Sequence, residues 1–214
     1  MSKNLTELVF ILDRSGSMAG LEADTIGGYN AMLHKQKKEQ GEANVTTVLF
    51  DDKIEMIHKR TSLQEMNQIT EKEYYVRGCT ALLDAIGQTI HYMDNVQKYA
   101  KEEQRAGKVL FVITTDGYEN SSKEYTYEKV KKMIEDQKEH FHWEFLFLGA
   151  NIDAIETARQ FGIDEAHATN YIADSKGTDL NYQAVSEAIS FCRSEGKINK
   201  HWKDKLEKDY KTRS

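Results

Sequence analysis

Asp13, Ser15 and Ser17 stand at alternate positions in DRSGS, directly after the apolar run 7–13 (ELVFILD). Asp116 lies in TTDG (114–117), directly after a second apolar run, 108–114 (KVLFVIT). Thr80 closes RGCT (77–80), ahead of a helix-like period. Two carboxylates and three hydroxyls of this kind suit a hard cation. Mg2+ takes six oxygens in near-octahedral array, usually one or two carboxylates with neutral oxygens and water. Asp13 supplies charge, Ser15 and Ser17 supply hydroxyls that a turn through Gly16 can aim at one point, and Thr80 offers a third. Asp116 binds directly or through a water. Without a cation the two carboxylates repel each other. With one, a first shell so poor in negative charge leaves the ion attractive to an incoming anion.

These residues need elements that bring them together. The runs 7–13, 108–114 and 143–148 are continuous and apolar, as in strands covered on both faces. Between them lie helical periods: Leu21, Ile26, Tyr29 and Leu33, running into the charged stretch 34–40; Leu82, Ile86, Ile90 and Met93; Val130, Met133 and Ile134. Ser121 and Glu124 have capping-box spacing before the third, and Asn151 is placed to cap a helix over 152–161 that Gly162 closes. Residues 45–50 and 54–59 flank Asp51-Asp52-Lys53 and predict an antiparallel hairpin at a sheet edge. A short strand over 167–172 and an amphipathic helix over 180–191 follow. The alternation predicts a three-layer α/β/α, Rossmann-like, doubly wound fold with a mostly parallel sheet and one antiparallel edge strand. In such sheets ligands bind beyond the carboxyl ends of the strands, where the strand order reverses. The strands ending at Asp13 and near Asp116 must then be neighbours.

At these residues the chain resembles the von Willebrand factor type A family. DRSGS matches that family's DxSxS signature, Thr80 fits its separate threonine and TTDG fits its third motif. The resemblance runs from about Thr6 to Phe191 and is nearest to short, stand-alone bacterial type A domains. It implies that Asp13, Ser15, Ser17, Thr80 and Asp116 build a metal-ion-dependent adhesion site, holding Mg2+ or alternatively Mn2+ or Ca2+. It also implies that an Asp or Glu of a partner protein completes the coordination. One departure is Cys79, where the family often has glycine before the metal threonine.

The chain of 214 residues is long enough for one such domain, with 39% apolar and 30% charged residues placing it among soluble globular chains. The expected division is a type A domain over 1–193 and a basic helical extension of the same domain over 194–214. In that extension Ile198, Trp202, Leu206 and Tyr210 recur every fourth residue and stripe a helix. A net charge of −6 argues against a nucleic-acid partner. No apolar run reaches bilayer length, so no membrane partner is expected. Cys79 and Cys192 are far apart, with no metal-like spacing, which suggests a reduced, cytoplasmic setting. The chain has no proline.

Plainer readings stand beside each of these. Ser15 and Ser17 taken alone are ordinary helix caps. Asp24 and Asp84 read as helix-face carboxylates, and Glu119 and Asn120 as either the rim of the site or loop polarity. Cys79 reads as a small buried residue. His140 and His142, facing one way on a strand, would need a third ligand to hold zinc. The function expected is protein binding through the ion rather than catalysis. The alternative is a hydrolase using the same ion as Lewis acid on a phosphoester, and another is a metal kept for stability. No P-loop or Rossmann glycine motif supports an enzyme, and no histidine lies in the motif loops to act as base.

Overall fold

The structure, a computed structural model, describes residues 2–213. Its six strands are β1 (Ser2–Asp13), β2 (Glu42–Phe50), β3 (Ile54–Ser62), β4 (Ala106–Thr115), β5 (Glu144–Gly149) and β6 (Ala168–Asn170). They form one sheet in the order β3-β2-β1-β4-β5-β6. All neighbours are parallel except β2 and β3, which form the expected antiparallel hairpin at the edge. The order reverses between β1 and β4, which pair directly, with Leu12 opposite Thr114. The strands that carry Asp13 and lead to Asp116 are therefore neighbours with parallel ends.

The period of two in β1 sorts its side chains onto two cores. Leu8, Phe10 and Leu12 pack with Tyr29, Leu33, Val185 and Ile189 on one face. Those come from helices α1 (Glu22–Gln36) and α5 (Ser175–Glu195). Val9 and Ile11 pack on the other face with Ile86, Ile90, Val130 and Ala158, from α2 (Leu82–Tyr99), α3 (Tyr127–Phe141) and α4 (Ala154–Gln160). The result is three layers, α/β/α. Helices α1 and α5 approach so closely that a Cβ on Gly28 would sit 2.3 Å from the Tyr182 ring.

The last helix, α6 (Asp204–Arg213), begins later than the apolar stripe. Ile198 and Trp202 precede it, yet both are buried with Leu206 in the α1/α5 core. The Trp202 indole N–H donates to the Ala166 carbonyl (2.9 Å), and Lys203 Nζ donates to the carbonyls of Glu165 (2.7 Å) and Ala168 (2.9 Å). These bonds tie residues after 194 to β6 and the turn before it.

Three local expectations are corrected. Helix α3 is capped by Thr126, which accepts from the Lys129 amide (3.3 Å), not by Ser121. Helix α4 is capped by Asp153, which accepts from the Glu156 amide (2.9 Å); Asn151 instead takes φ +55° in the turn before it. His140 and His142 are not on a strand. His140 is in the last turn of α3 and His142 ends that helix in a left-handed conformation, φ +56°, so the shared strand face needed for zinc does not exist.

Candidate functional site

The structure brings all five singled-out residues to one point at the carboxyl ends of β1 and β4. Asp13 ends β1. Its Oδ1 accepts from the Ser15 amide (2.7 Å) and its Oδ2 from the Thr115 hydroxyl (2.6 Å), while the Tyr74 hydroxyl holds its carbonyl (2.5 Å). Neither serine caps a helix. The residue before α1 is Leu21, and Ser15 makes no side-chain cap to the short turn of helix over Gly16–Met18. The hydroxyls face the site instead: Ser15 Oγ lies 3.1 Å from Ser17 Oγ, and Ser17 Oγ donates to Asp116 Oδ1 (2.5 Å). Thr80 is clamped to the third loop by two bonds, from its amide to Asn120 Oδ1 (2.9 Å) and from the Asn120 amide to its carbonyl (3.0 Å). A Cβ on Gly117 would lie 3.1 Å from Ser17 Oγ and 3.2 Å from Thr80 Oγ1. That space between two hydroxyls is open because the residue after Asp116 is glycine.

Electrostatics leave the site short of positive charge. Burial pushes the Asp13 carboxyl above its usual range, against hydrogen bonds from Ser15 and Thr115 that hold it down. Burial, with the Asp13 charge adding to it, raises Asp116 to about 6. Asp116 Oδ2 is buried and has no hydrogen-bond partner. A buried carboxylate oxygen without a partner costs free energy that a cation recovers. No group of three or more His, Cys, Asp or Glu side chains placed to hold a metal occurs among the described residues. The donors gathered here are instead two carboxylates and three hydroxyls, an all-oxygen set that fits a small hard cation and not a thiolate zinc site.

Several residues beyond the five shape the site, Arg14 and Arg77 without any reading from the sequence and Asp84 and Glu119 as braces. Arg14, inside the first motif, is fully buried. Its Nε donates to Asp51 Oδ2 (2.8 Å), a second nitrogen to Glu55 (2.8 Å) and a third to the Glu73 carbonyl (3.4 Å). Arg77 Nε shares Asp51 Oδ2 (2.7 Å), and both guanidinium groups lie against the Tyr75 ring. This network joins the first motif loop, the β2–β3 turn and the loop before Thr80. Asp84 faces inward from α2, accepting the amides of Lys123, Glu124 and Tyr125 at 2.8 to 2.9 Å. Glu119 accepts the amides of Ser121 (2.9 Å), Ser122 (2.7 Å) and Leu83 (2.9 Å). Its carboxylate braces the loop rather than facing a partner. The signal available for this network is Arg14 itself, an arginine just past the apolar stretch Leu8–Leu12, which must find acid if it turns inward. Cys79 is exposed, not buried. Glycine at 78, with φ +67° and room for no side chain beside Asp52, takes the tight part of that turn.

Solved structures share this arrangement of strands and helices. A von Willebrand factor type A protein from Catenulispora acidiphila superposes with a TM-score of 0.58 at 14% identity, over 87% of this chain and 42% of that one. The chain has a von Willebrand factor type A fold. A mutant of the PilB minor pilin from Streptococcus sanguinis is similar at TM-score 0.62 and 12% identity, over 89% of this chain and 62% of that one. Proximal thread matrix protein 1 of the mussel byssus, with a zinc-occupied metal-ion-dependent adhesion site, is similar at TM-score 0.60 and 12% identity, over 88% and 46%. The type A fold here thus spans between two-fifths and two-thirds of the length of these structures. No protein-family model and no curated protein sequence matches the chain.

Proposed function

We propose that this type A domain is a metal-dependent protein-binding module. Asp13, Ser15, Ser17, Thr80 and Asp116 hold one divalent cation, Mg2+ in the first place and Mn2+ or Ca2+ as alternatives. The ion takes an aspartate or glutamate of a partner protein. The observation that carries this reading is the convergence of three loops on Asp116, whose Oδ2 is buried without a partner. The zinc-occupied adhesion site in a structure of the same fold adds support. Bound, the ion would act as the Lewis acid that ties protein to partner. The chain's own residues orient it: Thr115 and the Ser15 amide fix the Asp13 carboxylate, and Asn120 fixes Thr80.

Charge balance supports an acidic partner. Two carboxylates neutralise a divalent cation only if both bind it directly, and three hydroxyls add no formal charge. A partner carboxylate makes a short, desolvated contact at the centre of an interface, where buried anchors count most. Tyr118, 63% exposed and next to Gly117, supplies apolar surface beside it. The two unpaired thiols support a reducing, cytoplasmic setting. No described helix is long and apolar enough to cross a membrane.

The test is a melting curve with Mg2+ or Mn2+ against one with chelator, followed by capture of partners under both conditions. Metal should raise the melting temperature by linkage, Asp13→Ala should abolish most of that rise, and partner capture should need metal. Equal melting curves across millimolar metal would refute the site. A partner bound equally well in excess chelator would refute the binding mode while leaving the ion in place.

A further inference from the structure

A cavity lies at the opposite end of the sheet from the metal loops. It holds about 840 Å3, between the last turns of α2 and α3, the first residues of β4 and the segment 141–143 that leads into β5. Its walls mix apolar surface with polar atoms that nothing satisfies. Val109 and the Trp143 indole form the inner wall, and Phe141, 58% exposed, stands at the mouth. Gln137 is only 8% exposed. Its amide nitrogen is committed to Asp94 Oδ1 (3.4 Å), which fixes the amide so that Oε1 is the free end. That Oε1 is buried and has no hydrogen-bond partner. Arg105 is held from one side, through a terminal nitrogen to the carbonyls of Lys98 (3.4 Å) and Ala100 (3.3 Å). Its Nε is buried and likewise has no partner.

A buried acceptor and a buried cationic donor left unpaired in two residues that line one cavity are costly, and native structures rarely leave such groups unmet. Concave, mostly apolar sites with a few convergent polar groups are the usual form of small-molecule sites. We propose that this cavity binds a small aromatic carboxylic acid that carries a hydroxyl or N–H donor. The ligand carboxylate accepts from Arg105, and its donor goes to Gln137 Oε1. The aromatic ring takes the surface offered by Trp143, Val109 and Phe141, where ring-to-ring contact adds to area burial. Arginine suits this role because it stays charged when desolvated and matches a carboxylate plane. None of these residues belongs to the metal loops, so the inference does not depend on the ion.

The experiment is calorimetric titration of the full chain with 4-hydroxyphenylacetate, which carries the ring, the carboxylate and the hydroxyl. Binding should saturate at one site per chain and quench the fluorescence of Trp143, one of two tryptophans. Phenylacetate, which lacks the hydroxyl, and 4-methylphenol, which lacks the carboxylate, should each bind about tenfold more weakly. Gln137→Leu and Arg105→Met should weaken the probe by a similar factor while each still unfolds in one cooperative transition. Asp13→Ala should leave probe binding unchanged. No saturable binding at millimolar probe, or equal binding of all three compounds to the wild type, would overturn the proposal. So would unaltered binding by both cavity variants.

Discussion

At the scale of single residues, Asp116 sets the balance between stability and ion binding. Its carboxyl is raised to about 6 by burial and by the charge of Asp13, so the metal-free fold holds its proton to higher pH than the unfolded chain does. The sign follows from linkage. A group whose folded pKa lies above its unfolded value of 3.8 contributes stability below that value and loses it as pH rises through about 6. The metal-free domain should therefore gain stability from this site as pH falls from 7 towards 4. Protons and cation compete for the same carboxylate, so the rise in melting temperature produced by Mg2+ should shrink over the same range. Thermal melts at several pH values, with metal and with chelator, check both halves. Asp116→Asn should melt higher than the wild type in chelator at pH 7.5, by on the order of 1 kcal/mol, because it keeps an acceptor for Ser17 and loses the repulsion with Asp13. The same variant should respond less to Mg2+. A variant that melts lower in chelator and keeps the full metal response would contradict this account of the charge.

At the scale of elements, the site depends on braces between loops. Asp84→Ala would strand three backbone amides of residues 123–125 and should cost about 3 kcal/mol or more in chemical unfolding. Arg14→Ala would leave Asp51 buried with only Arg77 beside it, at about 3–5 kcal/mol. Glu119→Ala should loosen the turn that carries Asp116 and Asn120 and so weaken metal binding. Tyr118→Ala, which removes only exposed surface, should leave the metal response intact and alter partner binding. These braces show where reading from sequence stops. Strands β1, β4 and β5 announce themselves by unbroken apolar runs. The hairpin shows in its turn residues, four site positions follow from oxygen-bearing side chains just after apolar runs, and Thr80 from the resemblance to the type A family. The bonds of Asp84 to residues 123–125, of Glu119 to Leu83 and of Arg14 to Asp51 and Glu55 join residues 36 to 41 apart with no periodic trace. The misplaced caps have the same cause. Ser121 has the right spacing for a cap, but its amide is taken by Glu119, and the helix waits until Thr126.

At the scale of the whole molecule, the sheet holds the two proposed sites apart at its two ends. Strand β4 runs from the cavity at Ala106 and Val109 to the metal loops after Thr115. Ile198, Trp202 and Leu206 pack into the α1/α5 core. Treating 194–214 as an extension of the same domain predicts that Trp202→Ala costs about 3–5 kcal/mol through lost core packing. The Mg2+ shift in melting temperature should remain, since Trp202 packs in the α1/α5 core and bonds to Ala166, not to a residue of the metal loops. An unchanged unfolding midpoint would mean that the extension is not part of the fold. The placement of the two thiols also gives the molecule a built-in handle for labelling. Cys79 is exposed, one residue before Thr80, whereas Cys192 is in the core with its thiol pushed up to about 12 by burial. The thiolate is the reactive form, so a maleimide dye should attach once to the folded chain and twice after denaturation, as intact-mass spectrometry would read. A fluorophore placed in this way, on unaltered sequence, sits beside the proposed ion and turns its arrival into an optical signal.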